Sequence, residues 1–202
     1  MNVKEYKKEE LFVVSESLTP TNIKELLDNL VSKDDKLRYN SFLILQYRSE
    51  NRNDLYPYFD RFLNMLKSDN SYHIIIGLKL ISINIKWDKD NKLEKIIDDY
   101  LSYCEDEKLI TARLAIQGLN DIIKYSNYNK KILDKIVSKL ISIDISKRPS
   151  THLKVMTTDI VNILIEIEKE ADYKEITVYL KDCLEQNIID KNLKKAILEL
   201  LN

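Results

Sequence analysis

The residues best suited to catalysis or metal binding are few in this sequence and stand far apart. Its two histidines, His73 and His152, and its two cysteines, Cys104 and Cys183, form none of the CxxC or HExxH spacings that bring ligands onto one metal ion. There is also no GxSxG turn, so a base-activated nucleophile is not indicated. Acidic pairs are abundant, and nothing selects one of them for acid–base chemistry. We therefore expect no metal, no cofactor and no catalytic residue.

A row of polar side chains on otherwise apolar segments is more informative. Polar residues on such helices must face water or a partner, and residues three or four apart share one helix face. A solvated groove wall without any ligand is the alternative interpretation. We predict a partner-binding face formed by Arg38, Arg48, His73, Asn84, Trp87, Arg113, Gln117, Asn120, Lys124, Lys154, Thr158 and Asn162.

Trp87, the single tryptophan, has two interpretations. An aromatic residue together with arginines is common in the energetic centre of a protein interface. Alternatively, Trp87 fills the seam between the second and third helix pairs, because a large aromatic residue is more often part of a core. In that case we expect Asp88 or Asp90 to pair with Arg113.

The segments that carry these residues show a helical period. Apolar residues at Ile23, Leu26, Leu27, Leu30 and Val31 make one stripe. The same pattern returns four times, and we name these five amphipathic segments A helices. Five segments between them, the B helices, are apolar around most of their circumference and must be covered on most sides. The predicted hairpins pair 21–32 with 35–49, 55–67 with 70–87, 91–104 with 107–125, 130–143 with 151–168 and 173–186 with 190–201.

The spacing of the B helices indicates a repeat architecture. Their predicted N-caps are Asp34, Asp69, Asp106, Ser150 and Asp190, at intervals of 35, 37, 44 and 40 residues. Such a period is typical of HEAT and armadillo repeats, in which hairpins bury their apolar faces on neighbours. We predict an all-α fold, a HEAT/armadillo-like α-solenoid of about five helix hairpins. It forms a single domain over 1–202, in which 1–18 are an N-terminal extension or a short helix. An irregular helical bundle is the alternative.

Composition supports this fold and limits the function. Two glycines and three prolines are too few for β-sandwich turns or phosphate-binding loops. The 32 basic and 33 acidic residues nearly cancel, which disfavours nucleic acid as a partner. No segment reaches the roughly 18 apolar residues of a membrane span. Two reduced cysteines on apolar stripes, both expected to be buried, fit a cytoplasmic protein.

Two segments resemble a known family. The run IKWDKDNKLEKIIDDYL (85–101) and the run EKLITARLAIQGL (107–119) are similar to small HEAT-repeat proteins of Firmicutes bacteria, often labelled SufBD-like after an iron–sulfur scaffold. The resemblance implies a HEAT-repeat fold and brings no established activity. Where that family carries basic residues early in the second B helix, this chain has His73, Ile74, Ile75 and Ile76. The matching positions are Trp87, Asp88, Asp90, Asn91, Lys92, Thr111, Ala112 and Arg113.

The function that we predict is a non-enzymatic scaffold that binds a protein partner on the concave B-helix face. The alternative is a nucleic-acid-binding HEAT-like protein, as a relative of the DNA glycosylases of this architecture. The charge of the face discriminates between them, since a nucleic acid or an acidic peptide requires unopposed cations. The cations in question are Arg38, Arg48, Arg113, Lys124 and Lys154, and the opposing acids are Asp121 and Asp159.

The last helix pair carries more apolar positions than one buried stripe can use. We expect part of this surface to be exposed and to be available to a second copy of the chain or to a partner, so that a homodimer through the C-terminal hairpin is one outcome. These positions are Ile188, Ile189, Leu193, Ala196, Ile197, Leu198, Leu200 and Leu201.

Overall fold

The structure is a computed structural model that describes residues 1–127, 129–185 and 189–201. These residues form α-helices and five short 3₁₀ turns, and no strand occurs among them. The helices are α1 (Leu11–Glu16), α2 (Pro20–Asn29), α3 (Asp35–Asn51), α4 (Phe59–Leu66), α5 (Ser71–Asn84), α6 (Lys92–Ser102), α7 (Leu109–Tyr125), α8 (Lys130–Ser142), α9 (Ser150–Glu168), α10 (Lys174–Glu185) and α11 (Lys191–Leu201).

The predicted all-α class is confirmed, and the ten predicted segments correspond to α2 through α11. The two members of each predicted pair pack against each other, α6 and α7 with the help of the 3₁₀ turn Tyr103–Glu105 that follows α6. Residue 186, the last of the predicted segment 173–186, lies outside the described residues.

Two of the five predicted B-helix caps are confirmed. The Asp34 carboxylate accepts a hydrogen bond from the Leu37 N–H at 3.0 Å, and Asp190 accepts one from the Leu193 N–H at 2.9 Å. The second cap is Asn70, whose side chain accepts from the Tyr72 N–H at 3.0 Å. The predictions of Asp69, Asp106 and Ser150 were wrong, since the N-cap positions are Asn70, Lys108 and Pro149.

The chain divides into two compact units, Met1–Asp90 and Asn91–Asn202, and each is described by itself. In unit 1, the B helices α3 and α5 lie side by side in the same direction. The Arg38 guanidinium is 4.7 Å from the Tyr72 ring centroid near their beginnings, and Asn84 donates to Ser49 at 3.0 Å near their ends. Both contacts join residues 34 or 35 positions apart, which is the spacing expected of successive repeats.

The short helix α1 continues this layer of unit 1 on another side of α3. The Phe12 and Tyr47 rings meet edge to face at 5.8 Å, and Arg48 donates to the Ser15 carbonyl at 2.9 Å. These pairs are 35 and 33 residues apart, so α1 runs along α3 with nearly the offset at which α3 runs along α5. The segment 1–18 thus contains a short helix, and that helix packs like part of a preceding repeat.

A close contact between α4 and α5 completes the core of unit 1. A Cβ added at Gly77 of α5 would lie 2.9 Å from the Phe62 carbonyl oxygen and 3.0 Å from Leu66 Cδ2. Phe62 itself is fully buried. Gly77 therefore allows a helix approach that any side chain would obstruct.

In unit 2, helices of the same type again lie side by side. Lys131 and Lys135 of α8 pair with Glu94 and Asp98 of α6 at 3.4 and 2.5 Å, and both pairs span 37 residues. Successive A helices, α6 with α8 and α8 with α10, pack together, and so do the B helices α7 with α9 and α9 with α11. Polar residues on α7 and α9 are thereby placed next to one another.

Candidate partner-binding site

The predicted site residues of unit 1 are largely occupied by contacts within the fold. Arg38 is buried, pairs with Asp35 at 2.5 Å, donates to the Ser32 carbonyl at 2.8 Å and lies against the Tyr72 ring. Its guanidinium fixes the turn before α3 and supports an exposed aromatic side chain. We therefore remove Arg38 from the residues available to a partner.

Arg48 is likewise occupied by contacts within the fold, and its side chain is only 10% exposed. Its Nη1 donates to the carbonyl oxygens of Ser15 and Glu16, at 2.9 and 3.0 Å, at the carboxyl end of α1. Its Nε and Nη2 donate to the Asp54 carboxylate at 3.0 and 2.6 Å. Arg48 thus joins α1, α3 and the turn that follows α3.

Asn84 and Trp87 join the end of α5 to α3. Asn84 is fully buried, and its amide donates to Ser49 Oγ and to the Leu80 carbonyl at 3.0 and 2.8 Å. The half-buried Trp87 donates from Nε1 to the Ser49 carbonyl at 2.7 Å. Within unit 1 Trp87 is therefore anchored on the first hairpin, and the ammonium of Lys86 lies 4.9 Å from its ring.

His73 is half-buried in the first turn of α5. Its Nδ1 lies 2.9 Å from Ser68 Oγ, which also accepts from the Asn70 N–H. The hydroxyl can donate to the ring nitrogen or accept from it, so the direction of this hydrogen bond depends on the tautomer of the imidazole. Burial, and then the charge of Arg38, lower the pKa of His73.

The predicted residues of unit 2 form a cluster that joins α7 to α9. Arg113 donates from Nε and Nη2 to the Asp159 carboxylate at 2.5 and 3.3 Å, and Gln117 donates to the same carboxylate at 3.0 Å. The Asp159 side chain is 9% exposed, whereas that of Arg113 is 36% exposed. The hydrogen bond with Asp159 raises the pKa of Arg113. The Asp159 carboxylate is therefore paired within the fold, while Arg113 and Gln117 remain at the surface.

The other predicted residues of unit 2 surround this cluster. Asn120, Lys124, Lys154 and Asn162 are exposed, and the half-buried Thr158 donates its hydroxyl to the Lys154 carbonyl at 2.8 Å. Their spacing of three or four residues places them on one side of each helix. We name this surface the α7/α9 face: Arg113, Gln117, Asn120, Lys124, Lys154, Thr158 and Asn162.

Sequence reasoning missed four exposed apolar or aromatic side chains on the helices of unit 1. Phe12 and Val13 of α1, Tyr39 of α3 and Tyr72 of α5 are 49%, 68%, 51% and 60% exposed. Exposed apolar residues on adjacent helices are typical of interaction surfaces. The sequence signal for them was a tyrosine near the start of each of two B helices, Tyr39 in α3 and Tyr72 in α5.

The C-terminal pair exposes less apolar surface than its composition suggests. Leu193 and Ile197 are buried, Leu200 is half-buried and Leu198 is 45% exposed. Ile188 lies outside the described residues. Association through this pair remains a prediction that depends mainly on Leu198 and on Val178 of α10, which is 59% exposed.

The groups that could hold a metal or act as a nucleophile are dispersed or buried. Among the described residues, no three His, Cys, Asp or Glu side chains are grouped as a metal site. Cys104 and Cys183 are buried as expected, and burial raises their pKa values to about 12 and about 11. In the part of the chain that is described, no helix combines the length and the apolar character needed to cross a membrane.

Comparisons with known proteins do not identify a family or a related protein for this chain. Searches against protein-family models, curated proteins and solved structures gave no match to this chain. The functional argument therefore depends on the α7/α9 face described above.

Proposed function

We propose that the protein is a non-enzymatic, cytoplasmic interaction scaffold in which HEAT-like hairpins present their B helices to a partner protein. The α7/α9 face carries this proposal. It places exposed amide and cationic side chains on one side of two helices whose other sides are largely buried. Arg113 and Gln117, which are held in place by Asp159, can pair with a partner at little cost in conformational freedom.

A HEAT-like arrangement is supported by the contacts inside each unit. Like helices run in parallel and are offset by a nearly constant number of residues. In unit 1, the contacts between α3 and α5 span 34 and 35 residues, and in unit 2 the ion pairs of Lys131 and Lys135 span 37. Stacked hairpins of one repeat length produce this regularity.

The charges on these helices favour a protein over a nucleic acid. The three arginines considered in both hypotheses are each paired with an aspartate, Asp35, Asp54 or Asp159. Nucleic-acid binding depends on cations that neutralise phosphates, and a guanidinium already paired with a carboxylate contributes less to that task. Of the five cations named, Lys124 and Lys154 are exposed.

Site-specific crosslinking in the source cells tests the proposal. A photoreactive amino acid placed at Asn120 or Asn162 samples the α7/α9 face, and the same residue placed at Lys95 of α6 or Lys181 of α10 is the matched control on exposed A-helix positions. We expect one discrete protein adduct from the first two positions and none of that size from the controls. Equal adducts from all four positions, or none from Asn120 and Asn162, would refute the scaffold function.

A further inference from the structure

We infer that the α7/α9 face binds an extended, acidic segment of its partner, an inference that rests on the proposed function. It follows from two properties of the face, its outward charge and the kind of hydrogen-bonding groups that it presents.

The seven residues that define the face include three cations, Arg113, Lys124 and Lys154, and no acid. Asp159 is 9% exposed and lies against Arg113 at 2.5 Å, so its charge is neutralised within the fold. Lys124 and Lys154 are exposed, Lys124 in the last turn of α7 and Lys154 in the second turn of α9, while Asp121 is half-buried. Carboxylates of a partner are attracted to such a surface, and basic side chains are repelled.

The middle of the face consists of amides. Gln117, Asn120 and Asn162 are exposed, and each amide has both donors and an acceptor. The hydrogen bond from Gln117 Nε2 to Asp159 fixes one amide and leaves its Oε1 available as an acceptor. A peptide group offers the complementary pair, one N–H and one C=O.

These amides distinguish an extended segment from a helical one. A helix satisfies nearly all of its backbone groups internally, so it has no use for amides in the middle of the face. An extended chain keeps its N–H and C=O groups free for a partner. An extended segment therefore uses both the amides and the flanking lysines, whereas a helix uses only the lysines.

Selection from a displayed library tests this inference. Random peptides of about 12 residues, spanning roughly 40 Å when extended, would be selected on the full chain. The test variant is the pair Lys124→Glu and Lys154→Glu. The matched control is the pair Lys95→Glu and Lys181→Glu, which changes the net charge equally on exposed positions of A helices.

We expect the selected peptides to be rich in Asp and Glu and to lack helical periodicity. A synthetic selected peptide should bind the test variant about tenfold more weakly at low salt and bind the control variant as it binds the unchanged protein. Methylation of a central backbone nitrogen of the peptide should also weaken binding about tenfold, because it removes a donor to the amides.

Other results overturn the inference. The selected peptides could be basic or helically periodic, or the test and control variants could lose binding equally. Backbone methylation could leave binding unchanged. A single-stranded oligonucleotide could also displace the peptide at a lower concentration than unlabelled peptide does. If crosslinking at Asn120 and Asn162 succeeds while the peptides show no acidic preference, the scaffold function stands and this inference alone falls. If crosslinking fails as well, both fall.

Discussion

Replacing Arg48 with Met should destabilise unit 1 and release α1. Methionine keeps much of the apolar stem of the side chain and removes the guanidinium. The change takes both donors from the carbonyls of Ser15 and Glu16 and leaves the Asp54 carboxylate without its partner.

The size of the effect follows from the burial of each group. Ser15 is fully buried, so its carbonyl loses a donor that water does not replace, at a cost of about 1–3 kcal/mol. Glu16 is exposed and can be hydrated. The Asp54 side chain is 36% exposed and recovers part of its solvation, so the lost pair costs less than the roughly 3–5 kcal/mol of a fully buried one. We expect the free energy of unfolding to fall by about 3 kcal/mol in total and the melting temperature to fall by roughly 6–12 °C.

Thermal unfolding with hydrogen exchange measures both consequences. Amides of Leu11–Glu16 should exchange much faster in the Arg48→Met variant, because α1 loses the contacts at its carboxyl end. Arg52→Ala is the matched control, because Arg52 and Glu16 are 3.9 Å apart and both exposed. Such a pair contributes at most about 1 kcal/mol.

Two results contradict this reasoning. A loss of stability no larger than that of Arg52→Ala would show that water or neighbouring donors replace the guanidinium. Unchanged protection of α1 would show that the apolar contacts of Leu11, which is fully buried, hold the helix without Arg48.

Three further predictions concern the packing and titration of buried groups. Gly77→Ala should lower the free energy of unfolding by about 1–2 kcal/mol, because the contact with α4 outweighs the helix propensity that alanine adds; a more stable variant in urea denaturation contradicts it. The lowered pKa of His73 means that its contribution is complete above the unfolded value near 6.5 and is lost as the pH falls through the folded value. His73→Gln should therefore flatten the fall in stability as the pH decreases below about 6.5, and a parallel pH profile would exclude this cause. Cys104 and Cys183, with pKa values raised to about 12 and about 11 by burial, should react with a thiol reagent at pH 8 only after denaturation, so fast labelling of the native chain is the opposing result.

The helix pairs could be predicted from the sequence because apolar residues keep their helical spacing along each segment even where single positions depart from it. The boundaries were less accurate where chain geometry changes the helix type. The predicted A helix from 55 begins as a 3₁₀ turn, Tyr56–Tyr58, and becomes α-helical at Phe59. Pro57 lies inside that turn and has no N–H to donate, so the first α-helical bonds start later.

The candidate site was only half predictable, because a polar residue on an apolar helix has two ways to satisfy its groups. Arg48 donates inside unit 1 to carbonyls and a carboxylate of other helices and turns, and the Asn84 amide nitrogen donates to a hydroxyl of α3. Gln117 and Asn162 remain at the surface of unit 2. Sequence spacing gives the helix face of a residue and does not show which neighbouring groups will cover it.

The position of α1 also limits where a further helix hairpin could stack on unit 1. Helix α1 packs against α3, and Asn40 of α3 donates to the Val3 carbonyl at 3.0 Å, so this segment covers a side of α3 on which another B helix could otherwise stack. A hairpin from a second molecule that docked there would join head to tail, and repetition of that contact would produce an open filament. Helix α1 already occupies this side of α3, and the hydrogen bonds from Arg48 to the carbonyls of Ser15 and Glu16 hold it there, so such a contact would require α1 to detach first.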